Sequence, residues 1–179
     1  QEYGYREPIL RYGTATQTTG AYLLQGECLQ QLGQSQPAQD SFDKGIAMAE
    51  KEQQFELQAH GLYLKIRSRE MQEHAPGAST MALEQLDKLL TNPGLKESQL
   101  QVYSRLLHVN ASMEGRQFDL AKRQLTEARQ WAEQAKNPLA RAWVSAVGGD
   151  LYQALGQPQL ALGEYIDAQQ QAKNLQDPL

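Results

Sequence analysis

The stretches Leu32-Gly33-Gln34-Ser35-Gln36-Pro37-Ala38 and Leu155-Gly156-Gln157-Pro158-Gln159-Leu160-Ala161 are two copies of one pattern. Each has Leu-Gly, a short polar turn, and an alanine five residues after the glycine. The match continues in helical register: Ala38, Phe42 and Gly45 align with Ala161, Tyr165 and Ala168, and upstream Gly26 and Leu29 align with Gly149 and Tyr152. Two weaker copies lie between them. Ala121, Leu125 and Ala128 follow the turn at Gly115, and Ala82, Leu86 and Leu89 follow Pro76-Gly77. The anchors Ala38, Ala82, Ala121 and Ala161 are spaced by 44, 39 and 40 residues. A near-constant period in helical sequence marks a solenoid, because each helix pair can bury its apolar face only against its neighbours. The expected fold is therefore all-α, a right-handed α-solenoid of about four antiparallel helix pairs.

Caps and breakers set the boundaries. Helices are expected over 15–33, 37–53, 55–73, 79–91, 96–114, 118–136, 138–155 and 158–175. Paired, they give repeats at 15–53, 55–91, 96–136 and 138–175, preceded by a segment 1–14 that reads as the remnant of an earlier helix. Pro37, Pro138 and Pro158 suit a first helical turn, where the missing N–H costs nothing. Asn137 and Ser79 are expected N-caps, and Asn92-Pro93-Gly94 is a turn. The extra length of the second repeat falls around 73–79. It is expected to form a loop at the edge of the stack, either mobile or a lip over a groove.

In the last repeat Gly149, Tyr152, Ala161, Tyr165 and Ala168 stand at the small, large, small, aromatic, small positions of a helix-turn-helix unit. This set resembles the tetratricopeptide repeat family, and Gly26, Leu29, Ala38, Phe42 and Gly45 follow it closely. The third repeat departs from it, with Val109 and Ser112 at the first two positions. A period near forty rather than the usual 34 is similar to the longer-helix variety of bacterial signalling regulators. The resemblance implies a concave surface lined by the first helix of each pair. Carried over by register, that surface comprises Gly20, Leu23, Glu27 and Gln30; Gln58, Leu62 and Lys65; Tyr103, Leu106, Asn110 and Met113; and Trp143, Ala146, Asp150 and Gln153. The family's carboxylate clamp uses Lys and Asn at two such positions. Asn110 matches, but Leu106 stands where the Lys would be. Tyr103, Met113 and Trp143 instead suggest a groove for an amphipathic helix or extended peptide. The same large residues would equally serve as packing between neighbouring first helices.

Composition narrows the function classes. Of the 179 residues, 40% are hydrophobic and 21% charged, which is globular, and the net charge of −4 offers no basic face to a phosphate backbone. No apolar run approaches a membrane span of about 20 residues. One cysteine, Cys28, precludes an internal disulfide and leaves cytoplasm and periplasm equally open. His60, His74 and His108 are scattered without a second ligand nearby. Gly148-Gly149 reads as close helix packing rather than a phosphate loop. Asp40, Asp43, Glu50, Glu127, Glu133 and Asp167 read as solvated charges on second helices, not as a convergent acid pair. No catalytic, cofactor or metal motif is present, and neither an enzyme nor a cofactor is expected. The chain begins at Gln1 and ends on Asn174-Leu175-Gln176-Asp177-Pro178-Leu179, which looks like the opening of a further repeat, so a longer native protein is expected. The leading functional expectation is a protein- or peptide-binding scaffold, the sensory or regulatory part of a bacterial signalling protein. A self-association module, giving a homodimer through a terminal repeat, and a small-molecule sensor using the concave groove are the alternatives.

Overall fold

In the computed structural model, residues 15–73, 80–135 and 137–176 are described; segment 1–14 and the expected loop at 74–79, with Ser79, lie outside them. The described residues form eight α-helices and no strand: α1 (Ala15–Gln31), α2 (Ser35–Lys51), α3 (Phe55–Glu73), α4 (Thr80–Leu90), α5 (Leu100–Glu114), α6 (Phe118–Gln134), α7 (Pro138–Ala154) and α8 (Pro158–Gln176). A single 3-10 turn, Pro93–Leu95, follows α4. The chain divides into two compact units, Gln1–Lys96 and Glu97–Leu179. Within each unit consecutive helices pack on one another, and alternate ones touch as well (α1 on α3, α5 on α7). That sequential packing of short-linked helices is the arrangement expected of an α-solenoid.

Helices differ in how much of their surface is covered. On α2 a single stripe is buried (Ala38, Ser41, Phe42, Gly45, Ala49), and on α6 another (Ala121, Leu125, Ala128, Ala132). Helices α5 and α7 are covered on several sides, down to Gln101, Ser104 and Ser145. A helix between two neighbours in a stack must bury more than one face.

The close approaches fall where the repeat pattern places its small residues. A Cβ built on Gly26 would lie 2.4 Å from Cε1 of Phe42, and one on Gly149 would lie 2.4 Å from Cε1 of Tyr165. In the third repeat the same two positions hold Val109 and Leu125, both buried. There a larger residue on the first helix faces a smaller one on the second. Gly148 is also a close-packing position: its Cβ would meet Nη2 of Arg129 and the carboxylate of Glu164 at 2.9 and 3.1 Å.

Helix ends explain the short turns. Gly33, Gln53, Arg116 and Gly156 all have φ between 54° and 71°. At each, the N–H of that residue and the next reach back to carbonyls three and five residues earlier: Gly33 to Gln30 and Gln34 to Leu29, and likewise Gln157 to Tyr152. This is the left-handed closure that stops a helix and satisfies its last carbonyls. It ends α1, α2 and α7 one or two residues before the expected boundaries, and α5 at the expected one, Glu114. At the N-termini, Asn137 accepts from the N–H of Leu139 and Ala140 ahead of Pro138, as expected. Pro37 is the third residue of α2 rather than the first, still within the turn that needs no N–H. Helix α5 starts at Leu100 instead of 96, because the chain continues in turns from the end of the 3-10 turn at Leu95 up to residue 99.

Candidate functional site

The positions expected to line a concave groove fare unequally. Leu106 is 5% exposed and belongs to the core of the second unit, with Val102, Val109 and Leu125; it is not available to a partner. Leu23 and Leu62 are likewise buried, and Met113 packs partly against the Leu106 core. These corrections share one cause. On a helix covered from two sides, an apolar side chain at a groove position turns inward.

Several polar members are already engaged. Gln30 accepts from the Ser68 hydroxyl, which also receives the Gln39 amide at 2.9 Å, so α1, α2 and α3 meet through that hydroxyl. Lys65 turns back to Asp43 on α2 at 2.5 Å. Asp150 and Gln153 both accept from the Tyr165 hydroxyl on α8, at 2.6 and 3.1 Å. The bond to Asp150 favours the neutral phenol and pushes the Tyr165 pKa up to about 12, with desolvation a smaller cause. Glu27 and Asn110 are half-buried, and Tyr103 donates to Gln99 at 3.2 Å. Trp143 remains 39% exposed, with Leu139 exposed one turn before it. Of the carboxylates expected to be solvated, Asp43 is exposed and also pairs with Lys65, whereas the half-buried Asp167 accepts from the buried Ser145 at 2.6 Å.

Concavity lies elsewhere. In the first unit an open pocket of about 630 Å³ is bounded by the C-terminal half of α2, the N-terminal half of α3, the C-terminal half of α4 and the turn after it. Antiparallel packing brings those three helix ends to one side. Ile46, Leu62 and Leu89 supply apolar walls, and Phe55, 41% exposed, stands at the mouth. Glu50, Gln58, Gln85 and Lys88 supply polar groups, while Thr91 and Asn92 are committed to their own turn: Thr91 donates to the Lys88 carbonyl at 2.7 Å and Asn92 accepts from the Gly94 N–H at 2.9 Å. Size and lining suit a ligand with an apolar anchor and a few hydrogen-bonding groups. Of the expected groove residues only Gln58 and Leu62 reach this pocket. The remainder come from three separated segments, where the sequence marks Leu89 as a packing position, Glu50 as a solvated charge and Asn92-Pro93 as a turn, and nothing in the pattern joins them into a site.

The pocket lining holds no His, Cys or Ser and a single carboxylate. Among the described residues no group of three or more His, Cys, Asp or Glu could hold a metal ion, and no helix is long and apolar enough to cross a membrane. Cys28 is half-buried, and His60 sits beside the Tyr63 ring, centroids 6.4 Å apart. No family model matches the chain, and no curated protein matches it either.

Proposed function

We propose that the chain is a non-catalytic, tetratricopeptide-like scaffold that binds a protein or peptide, with the pocket between α2, α3 and α4 receiving an apolar anchor side chain. The observation that carries this reading is the pocket itself: apolar walls, a half-exposed Phe55 and a rim of uncommitted amides and one amine. Burial of one such anchor is worth about 1.5–3 kcal/mol, and the rim groups select among ligands by hydrogen bonding. The setting we propose, a sensory or regulatory part of a larger bacterial signalling protein, rests on the near-forty-residue period.

Selection of a random peptide library on the immobilised chain tests this. Enriched peptides should share an apolar residue. Their affinity should fall about tenfold or more with Phe55→Asp, and shift with the ligand's charge in Lys88→Glu. Failure to enrich any peptide, or peptides indifferent to Phe55→Asp, would refute it.

A further inference from the structure

Equivalent grooves in the two units differ in what links their walls. In the second unit α7 packs on both α6 and α8, and two polar links tie α8 down: Arg129 on α6 pairs with Glu164 against Gly148 of α7, and Ser145 on α7 donates to Asp167 at 2.6 Å. In the first unit α3 packs on both α2 and α4. Counting from the anchor alanines, Arg129, Glu164 and Asp167 correspond to Ile46, Gln85 and Lys88. Counting from the first residues of α7 and α3, Ser145 corresponds to Leu62. All four of these counterparts border the pocket. Neither link can form there, because Ile46 has no hydrogen bond to offer Gln85 and Leu62 none to offer Lys88.

The exchange leaves a charge without a counterpart. Among the described residues the exposed Lys88 ammonium has no ion-pair partner, and it shares the pocket with the apolar walls of Ile46, Leu62 and Leu89. A cation at the edge of an apolar pocket favours a ligand that carries an anion beside its apolar anchor. The other charge on the lining is Glu50, on α2, and no ion pair joins it to Lys88 on α4. Its counterpart in the third repeat, Glu133, is likewise an exposed acid, so Glu50 follows the pattern and Lys88, whose counterpart is an acid, departs from it. We infer that the pocket selects its ligand by charge: resting on the peptide-binding role proposed above, it takes a peptide whose apolar anchor is flanked by an acidic side chain. That acid pairs with Lys88 on the α4 side, while Glu50 turns acids away from the α2 side.

Retention of a peptide pool on the immobilised chain tests the inference. Each peptide has a central Phe or Leu, flanking positions drawn from Glu, Gln and Lys, and an amidated C-terminus, so that only a side chain can supply the acid. On the parent, retained peptides should carry Glu in preference to Gln beside the anchor by about two- to fivefold, the range of a solvent-edge ion pair, and the excess should shrink in high salt. Lys88→Asp, which installs the residue of the fourth repeat, should reverse the order and favour Lys. Lys88 is exposed, so the variant should keep its helical circular dichroism; should it fail to fold, Lys88→Gln is measured, and the excess of Glu should vanish. Retained peptides that depend on Phe55 yet show no excess of Glu, or an excess that Lys88→Asp leaves intact, overturn the inference and leave the anchor role standing. Retention of no peptide, or retention indifferent to Phe55→Asp, overturns both.

Discussion

Replacing glycine by alanine should have opposite signs at two positions on the same helix. Gly20 and Gly26 both lie within α1. Inside a helix, alanine is favoured over glycine by about 0.8–1.0 kcal/mol. At Gly20 a new Cβ meets nothing within 4 Å, so Gly20→Ala should stabilise the protein by about that amount. At Gly26 the same methyl would sit 2.4, 2.5 and 2.9 Å from three carbons of the Phe42 ring, against an ordinary carbon–carbon separation of about 3.5–4.0 Å. Phe42 is 1% exposed and has no open side to retreat to. Overpacking of this kind costs about 1–3 kcal/mol, which exceeds the propensity gain. Gly26→Ala should therefore destabilise, by up to about 2 kcal/mol, and Gly149→Ala, against Tyr165, should do the same. For a chain of this length each kcal/mol moves the Tm by about 2–4 °C, so urea and thermal unfolding both resolve the sign. A double-mutant cycle isolates the contact. Gly26→Val with Phe42→Leu copies the Val109–Leu125 solution of the third repeat, and should recover at least about 1 kcal/mol relative to the sum of the singles. If Gly26→Ala stabilised as Gly20→Ala does, or the cycle showed no coupling, the close approach would be wrong.

Other expectations rest on different contacts. Gln53 and Arg116 hold the left-handed conformation that Gly33 and Gly156 hold elsewhere. That conformation costs a side-chain-bearing residue about 1–2 kcal/mol, partly offset by glycine's greater freedom when unfolded. Gln53→Gly and Arg116→Gly should thus each stabilise by about 0.5–1 kcal/mol in urea unfolding, and Gly156→Gln should lose a similar amount. Ala161→Leu should destabilise by about 1–3 kcal/mol, because that buried anchor has no room for three more carbons; an unchanged melting temperature would show the helix register to be wrong. The Tyr165 phenol, raised from 10.0 to about 12, should appear as a late step in a spectrophotometric titration. Below pH 10 folded and unfolded chains both keep that proton and the stabilisation is fully present. From about pH 10 to 12 the unfolded chain releases it first, so stability is lost as pH rises. Asp150→Asn should move the step towards the ordinary value, whereas Tyr63, raised chiefly by burial, should titrate late in either protein.

What the sequence made legible is the part set by periodicity. Of the four anchors Ala38, Ala121 and Ala161 are buried and Ala82 is half-buried, and the described helices begin or end within a few residues of the expected boundaries. Such positions are dictated by geometry common to every repeat: a small residue where backbones approach, a large one a turn later. The groove assignments used the same register but required each side chain to face outward. Leu106 and Leu62 violate that requirement, since burying a leucine outweighs keeping it beside a groove. For Lys65, Asp150 and Gln153 the competing outcome was a local partner. Asp43 and Tyr165 lie within reach on the adjoining helix, and that pairing leaves no trace in a single-sequence pattern.

The pocket was hidden for a further reason, and the reason bears on its origin. The interval of 44 residues between Ala38 and Ala82 signalled an irregular second repeat. That extra length lies before Ala82; a separate irregularity of the second repeat is its short second helix: α4 has 11 residues, where α2 and α6 have 17. At about 1.5 Å per residue, α4 is roughly 9 Å shorter than either. It is succeeded not by a continuing helix but by the turn through Thr91, Asn92 and Pro93, all three of which border the pocket. A shortened second helix exposes the flank of the first helix it would otherwise cover, here at Phe55 and Gln58 on α3. The pocket is therefore best understood as the place where one repeat falls short of its neighbours. On that account, rebuilding α4 by two helical turns, with alanines replacing the 91–95 turn, should close the pocket and abolish binding of any peptide that needs Phe55. A lengthened α4 that still bound such peptides with parent affinity would show that the opening has another cause.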